Sequence, residues 1–280
     1  MFRHFLSLSL VVLLSLAFAG GSHGRELIAD EDYWHAVWPN TPIPTTLNEL
    51  LKPGAEENAE IDDVPMKVDD TMYPKTFFFQ HELYPGKKMS VEFSKLPFAQ
   101  PYGVYTWGRK VKDLGKEIFT FEEACIKAPP SKGEDKYCVK SLPSMIGFVV
   151  SKLGKNIMPL SSSFLDKNLK SEYTIEGVYN LGDRAVMCHR LNFQTTVFYC
   201  HEIHDTTAYM VPMVGADGAR TQVLAVCHHD TSAMNAEVLY QVLKIKPGAE
   251  TACHYLGNKA VMWVPNLPVN SAHNNANLAN

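Results

Sequence analysis

The chain has 280 residues, 46% of them hydrophobic and 20% charged, with a formal net charge of −4. That is enough apolar material for a sizeable core, and a mild acidic balance without a basic stripe excludes a nucleic-acid-binding surface. No apolar run beyond the N-terminal region is long enough to cross a bilayer, so no membrane span is expected.

Residues 1–24 read as a signal peptide. Arg3 and His4 form a short basic start, Leu6 to Ala19 is mostly apolar, and Ala17-Phe18-Ala19 offers the small residues a signal peptidase requires. The mature chain therefore enters the secretory pathway, bound for the extracellular space (apoplast) or the vacuole. Residues 25–74 read as a leader and linker. Within them, Tyr33-Trp34-His35-Ala36-Val37-Trp38-Pro39-Asn40-Thr41-Pro42-Ile43-Pro44 is an aromatic and proline-rich patch that docks on the body or serves as a pro-segment. Glu56 to Asp70 is acidic and poor in large apolar residues, as a solvated linker should be.

The folded part is expected over residues 75–266, followed by a polar tail over 267–280. Phe77-Phe78-Phe79 predicts a buried strand, Leu83 to Lys88 a turn, and Met89 to Phe93 a second strand. Cys125 and Cys138 bracket a polar segment containing Pro129-Pro130, read as a surface loop closed by a disulfide. Ser144 to Leu153 predicts a helix stopped by Gly154. Ala185–His189, Thr195–His201, Thr206–Met213 and Thr221–His228 are strand-like, with Asp217-Gly218 a hairpin signal between the last two. Ala233 to Lys246 predicts a helix closed by Pro247-Gly248, and Ala260 to Val264 a last strand. On strand count the fold class is α+β, a β-rich single domain with a few helices, stapled by disulfides.

Six cysteines, Cys125, Cys138, Cys188, Cys200, Cys227 and Cys253, enter an oxidising compartment, where disulfides are the default. Six cysteines allow fifteen pairings, among which sequence does not choose. The dipeptide Cys-His recurs at 188–189, 200–201, 227–228 and 253–254, with Trp263 following. Neighbours in a strand point to opposite faces. If two such cysteines on adjacent strands are bonded, the two following histidines are carried together on the other side, close enough to share a metal ion. His189, His201, His228 and His254 are thus candidate metal ligands, with His204 and His229 as candidates to complete a shell. An imidazole set suits Cu(II), Zn(II) or Ni(II); Cu(II) binds tightest, and of these only copper readily cycles by one electron. A zinc–thiolate site is the alternative that an oxidising route disfavours.

The octapeptide Gln100-Pro101-Tyr102-Gly103-Val104-Tyr105-Thr106-Trp107 carries three aromatics and no charge, and lies on a connection where a chain is exposed to cleavage. Among the four tryptophans, only Trp107 has a glycine four places earlier. A turn there brings its indole N–H near an α-carbon without a side chain.

The Phe77-Phe78 start, Leu83…Gly86…Met89, the Cys125/Cys138 pair and the four Cys-His pairs with Trp263 resemble the plant-specific BURP domain. Tyr33-Trp34 and Pro39-Asn40-Thr41-Pro42 resemble the leader of its seed-protein-type members. Some members are copper-dependent peptide cyclases that modify a core peptide in their own chain, and Gln100 to Trp107 resembles the lyciumin-type core. The resemblance implies an autocatalytic cyclase that is also the precursor, with more than one copper ion held by His189, His201, His228 and His254, and dioxygen as oxidant. It implies a bond from the Trp107 indole nitrogen to the Gly103 α-carbon, and processing proteases that release the peptide. A second ring involving Tyr102 or Tyr105 and Gln100 is a weaker expectation. A single core lies inside the domain here, whereas many such precursors carry repeated cores outside it. The alternative is a non-enzymatic secreted or seed BURP protein that binds metal or a cell-wall polymer.

Overall fold

A computed structural model describes residues 22–52, 77–92, 133–163, 170–190, 196–232, 234, 236–257 and 259–266. Residues 1–21 of the expected signal peptide, the acidic stretch, the octapeptide 100–107, Cys125 and the polar tail lie outside the described residues.

The chain starts with two helices, α1 (Ser22–Val37) and α2 (Thr45–Leu51). The strands are β1 (Phe77–Phe79), β2 (Lys88–Glu92), β3 (Glu134–Val139), β4 (Ile157–Leu160), β5 (Lys170–Ile175), β6 (Tyr179–Gly182) and β7 (Val186–Arg190). Then come β8 (Phe198–Ile203), β9 (Thr206–Gly215), β10 (Arg220–His228), β11 (Ala252–Tyr255) and β12 (Ala260–Pro265). Helix α3 (Leu142–Leu153) lies between β3 and β4, and α4 (Ala236–Leu243) between β10 and β11. One sheet runs β1-β11-β10-β9-β5-β2 with β6 also on β9; the other runs β3-β8-β7-β12-β4. This is the β-rich α+β domain expected from the strand count.

Strand parity sorts the core into layers. Met187, Ala260, Met262 and Val264 from the five-stranded sheet share one apolar cluster with Ala208, Met210, Leu224 and Val226 from the other. Those residues are the interior between two face-packed sheets. The alternate residues of β7, β8 and β12, among them Cys188, Cys200 and Trp263, face outward under Trp34, Leu47 and the α3 residues Leu142, Met145 and Val149. On the outer side of the seven-stranded sheet, Cys227 and Cys253 cluster with Phe78, Val211, Val223 and Tyr255.

Local signals explain the covering helices. In α3 the Ser141 hydroxyl accepts the Ser144 N–H, Pro143 sits in the first turn, and Gly154 at φ 81° ends the helix. Its buried residues Leu142, Met145, Ile146 and Val149 repeat at three- and four-residue steps, the stripe a covering helix needs. The aromatic patch docks on the body. Trp34 is 1% exposed, its ring 4.7 Å from Trp38 and 6.3 Å from Trp263, and Trp38 stacks on Trp263 at 6.2 Å.

Two expectations are corrected. The segment before Cys138 is not all loop, because Glu134–Val139 pairs along its length with Phe198–Ile203. The expected helix 233–246 stops short of Lys246, its described helical residues being Ala236–Leu243. Strands β4, β5, β6 and β11 add to those expected, and the Asp217-Gly218 hairpin is present with Gly218 at φ 84°.

Candidate metal centre

Two disulfides join strands at directly opposed positions. Cys188 faces Cys200 across β7–β8 with Cα atoms 4.0 Å apart, and Cys227 faces Cys253 across β10–β11 at 3.9 Å. Cys138 is also disulfide-bonded. Each bonded pair lies on the outward side of its sheet, so the next residue in every strand turns inward. His189 and His201 thereby become diagonal neighbours on the inner face, as do His228 and His254 on the facing sheet. Their rings close the remaining gap. Nε2 of His189 lies 3.2 Å from Nε2 of His201, and Nε2 of His228 lies 3.2 Å from Nε2 of His254.

The partners of the other ring nitrogens set the tautomers. His201 Nδ1–H donates to Glu134 Oε1 at 2.8 Å, and the same oxygen accepts the Tyr199 hydroxyl at 2.7 Å. A neutral His201 then presents an Nε2 lone pair, and His189 Nε2–H donates to it. His254 Nδ1–H points to the Tyr255 carbonyl at 3.3 Å, so His228 Nε2–H donates to His254 in the same way. The bridging proton of each pair sits where a cation would.

Burial disfavours the charged form of His189, His228 and His254. It holds His189 and His228 well below the usual imidazole range, with neighbouring imidazoles pushing the same way. His254 is brought down to about 4, burial outweighing the opposing pull of the Tyr255 carbonyl. His189 feels His254, and both His228 and His254 feel His201, so the two pairs interact across the space between the sheets. Burial, with the Glu134 charge and hydrogen bond, also raises the Tyr199 phenol far above its normal value.

This donor set fits a late first-row divalent ion. Two Nε2 atoms 3.2 Å apart, each about 2.0–2.1 Å from an ion, subtend roughly 100–106° at it, suited to tetrahedral or distorted cis coordination. The Glu134 carboxylate behind His201 and the carbonyl behind His254 are the outer partners that orient metal-binding imidazoles. The sulfurs are consumed in disulfides, so the centre is imidazole-based.

The remaining candidates lie elsewhere. His229 is exposed and hydrogen-bonds Thr207 Oγ1 at 2.7 Å. His204 is exposed on the outward side with Asp135 and Glu202, where one ligand atom from each lies within 4.8 Å of the others. Among the described residues, that is the group of three potential metal ligands, and neither imidazole pair has a third. Gln100, Tyr102, Gly103, Tyr105 and Trp107 lie outside the described residues, so no geometry relates them to the histidines. Glu134 and Tyr199 were not anticipated. Tyr199 was accessible, standing two residues before His201 on the same strand face, whereas Glu134 carried no signal.

The family model for the BURP domain matches residues 110–265. The chain is 41% identical over 272 residues to the embryonic abundant protein VF30.1 of Vicia faba, covering 95% of this chain and 96% of that one. It is likewise 41% identical over 272 residues to the unknown seed protein USP of Vicia faba, at the same coverage. With the BURP domain protein RD22 of Arabidopsis thaliana it shares 36% identity over 214 residues, 67% of this chain and 55% of that one. The chain belongs to the BURP-domain family and is related to embryonic and seed proteins.

Proposed function

We propose that this BURP-family chain is a secreted or seed-associated protein that binds transition metal at its two disulfide-braced imidazole pairs, copper(II) foremost. The observation that carries this reading is the pair of 3.2 Å Nε2–Nε2 approaches, one on each facing sheet. Neutral nitrogen donors at this spacing favour copper over zinc and nickel on the usual affinity order. Resemblance to embryonic and seed proteins of Vicia faba supports the setting. The test is metal analysis and copper titration of the full-length protein beside a His189→Ala/His228→Ala variant. The wild type should bind copper at both pairs and the variant should lose that binding; equal copper in both would refute the reading.

A second reading adds a reaction, and the sequence of residues 100–107 favours it. Copper supplies one-electron redox capacity when bound. Joining the Trp107 indole nitrogen to the Gly103 α-carbon breaks one N–H and one C–H bond and forms one C–N bond, with two electrons and two protons passing to dioxygen. The glycine α-carbon is sterically open, and holding both partners in one chain removes the entropy of association, worth at most about 7–11 kcal/mol. Mass spectrometry of the Gln100–Trp107 peptide after copper loading in air decides it. Loss of a pair of hydrogens, abolished by Gly103→Ala, supports cyclisation. An unchanged mass leaves a metal-binding protein without that activity.

A further inference from the structure

The residues before and after a strand cysteine share the face opposite its sulfur, so each crosslinked strand pair presents a square of four side chains inward. In the first square His189 faces Tyr199, and Met187 faces His201, across β7–β8. In the second His228 faces Ala252, and Val226 faces His254, across β10–β11. Imidazoles occupy one diagonal of both squares, but the other diagonals differ. Val226 and Ala252 bring no donor atom, whereas Met187 and Tyr199 bring a thioether and a phenol.

The phenol is already engaged, its hydroxyl donating to Glu134 at 2.7 Å. That leaves Met187, which is 2% exposed and lies in the apolar layer between the sheets with Met210, Ala260 and Met262. Directly opposed residues on a ladder have Cβ atoms about 4.5–5.5 Å apart, and the flexible methionine stem lets its sulfur cover such a gap. Among the histidine, cysteine and carboxylate side chains of the described residues, neither imidazole pair has a third donor. A thioether is a further kind of donor, and only the first square carries one.

We propose that Met187 is a third, soft ligand of the His189–His201 pair and makes the two imidazole pairs inequivalent, the first holding copper(I) more tightly than the second. The proposal rests on the copper reading given above and assigns an oxidation state to each pair. Thioether sulfur selects copper(I) over the harder divalent ions. The apolar surroundings of Met187 act in the same direction, because the lower charge is less costly to withdraw from water. The His228–His254 pair, flanked by aliphatic corners, offers nitrogen alone and suits copper(II). Met262 faces Met187 from β12, one strand further from His201, and packs without ligating.

The test uses the full-length protein in a His228→Ala/His254→Ala background, so that the first pair alone reads out, loaded with copper(I) without oxygen. X-ray absorption at the copper edge should show one sulfur neighbour, and Met187→Leu, which keeps the volume, should lose it. In a competition titration with a copper(I) chelator, Met187→Leu should bind copper(I) about tenfold more weakly with copper(II) affinity little changed, lowering the potential of the bound couple by about 59 mV. Met262→Leu should leave both readouts as they were, which separates ligation from packing. A copper(I) site with nitrogen neighbours alone, or sulfur retained in Met187→Leu, would overturn the role of Met187 while leaving copper binding in place. Absence of copper in either oxidation state from this background would overturn both readings.

Discussion

Replacing Glu134 separates a residue that orients a ligand from one that merely fills space. Its Oε1 accepts from both Tyr199 Oη and His201 Nδ1, all three residues being buried. Glu134→Ala strands two buried donors at about 1–3 kcal/mol each, so a loss on the order of 2–6 kcal/mol is expected. Glu134→Gln keeps an acceptor and nearly the same volume. It exchanges charge-assisted bonds for neutral ones, costing about 1–3 kcal/mol in total. Copper affinity at the His189–His201 pair should nonetheless fall about 10–100-fold in the glutamine variant, because the ligand loses its anionic outer partner. The assay is urea unfolding of the metal-free protein with a copper competition titration, in a His228→Ala background so that one pair reads out. Glutamine binding copper as tightly as glutamate would refute the orienting role.

Three further outcomes follow from the same geometry. The folded protein holds His254 near 4 while the unfolded chain keeps the ordinary 6.5, so at intermediate pH the unfolded state binds more protons. Metal-free stability should therefore be complete above about pH 6.5 and fall by about 1.4 kcal/mol per pH unit from this residue down to about pH 4, as urea midpoints across that window will show. Cys227→Ser/Cys253→Ser, which opens a crosslink spanning 26 residues, should lower stability by about 3–3.5 kcal/mol in the same assay. Trp34→Ala should cost about 3–5 kcal/mol, because the ring is buried between the N-terminal helices and Trp263; a change under 1 kcal/mol would mean those helices are not part of the cooperative unit.

Much of the centre was legible because it depends on strand parity. Cys-His written four times places sulfur and imidazole on opposite faces wherever the segments are strands, and all four are. Pairing was not legible, since it depends on which strands become neighbours, and β7 meets β8 while β10 meets the distant β11. Strand β3 escaped because Glu134-Asp135-Lys136 has no apolar alternation; the first of its two buried positions is a glutamate satisfied by residues 65 and 67 places away. The N-terminal helix escaped for another reason. Trp34 and Trp38 fall one helical turn apart, a helical spacing obscured by Pro39 and Pro42 just beyond.

The same parity explains why the protein uses two sheets rather than one. A single disulfide-braced strand pair delivers two imidazoles, which is fewer donors than a divalent ion normally takes. A second braced pair on the facing sheet adds another two, near enough for the pairs to feel each other electrostatically, without asking either sheet to depart from regular pairing. The crosslinks remain outside, under helices on one sheet and beside Phe78 and Tyr255 on the other, where they stiffen the ladders without competing as ligands. A one-residue insertion between Cys and His in any strand would turn that imidazole to the crosslinked side. The adjacency of the two residues is therefore a structural requirement of the paired-imidazole arrangement.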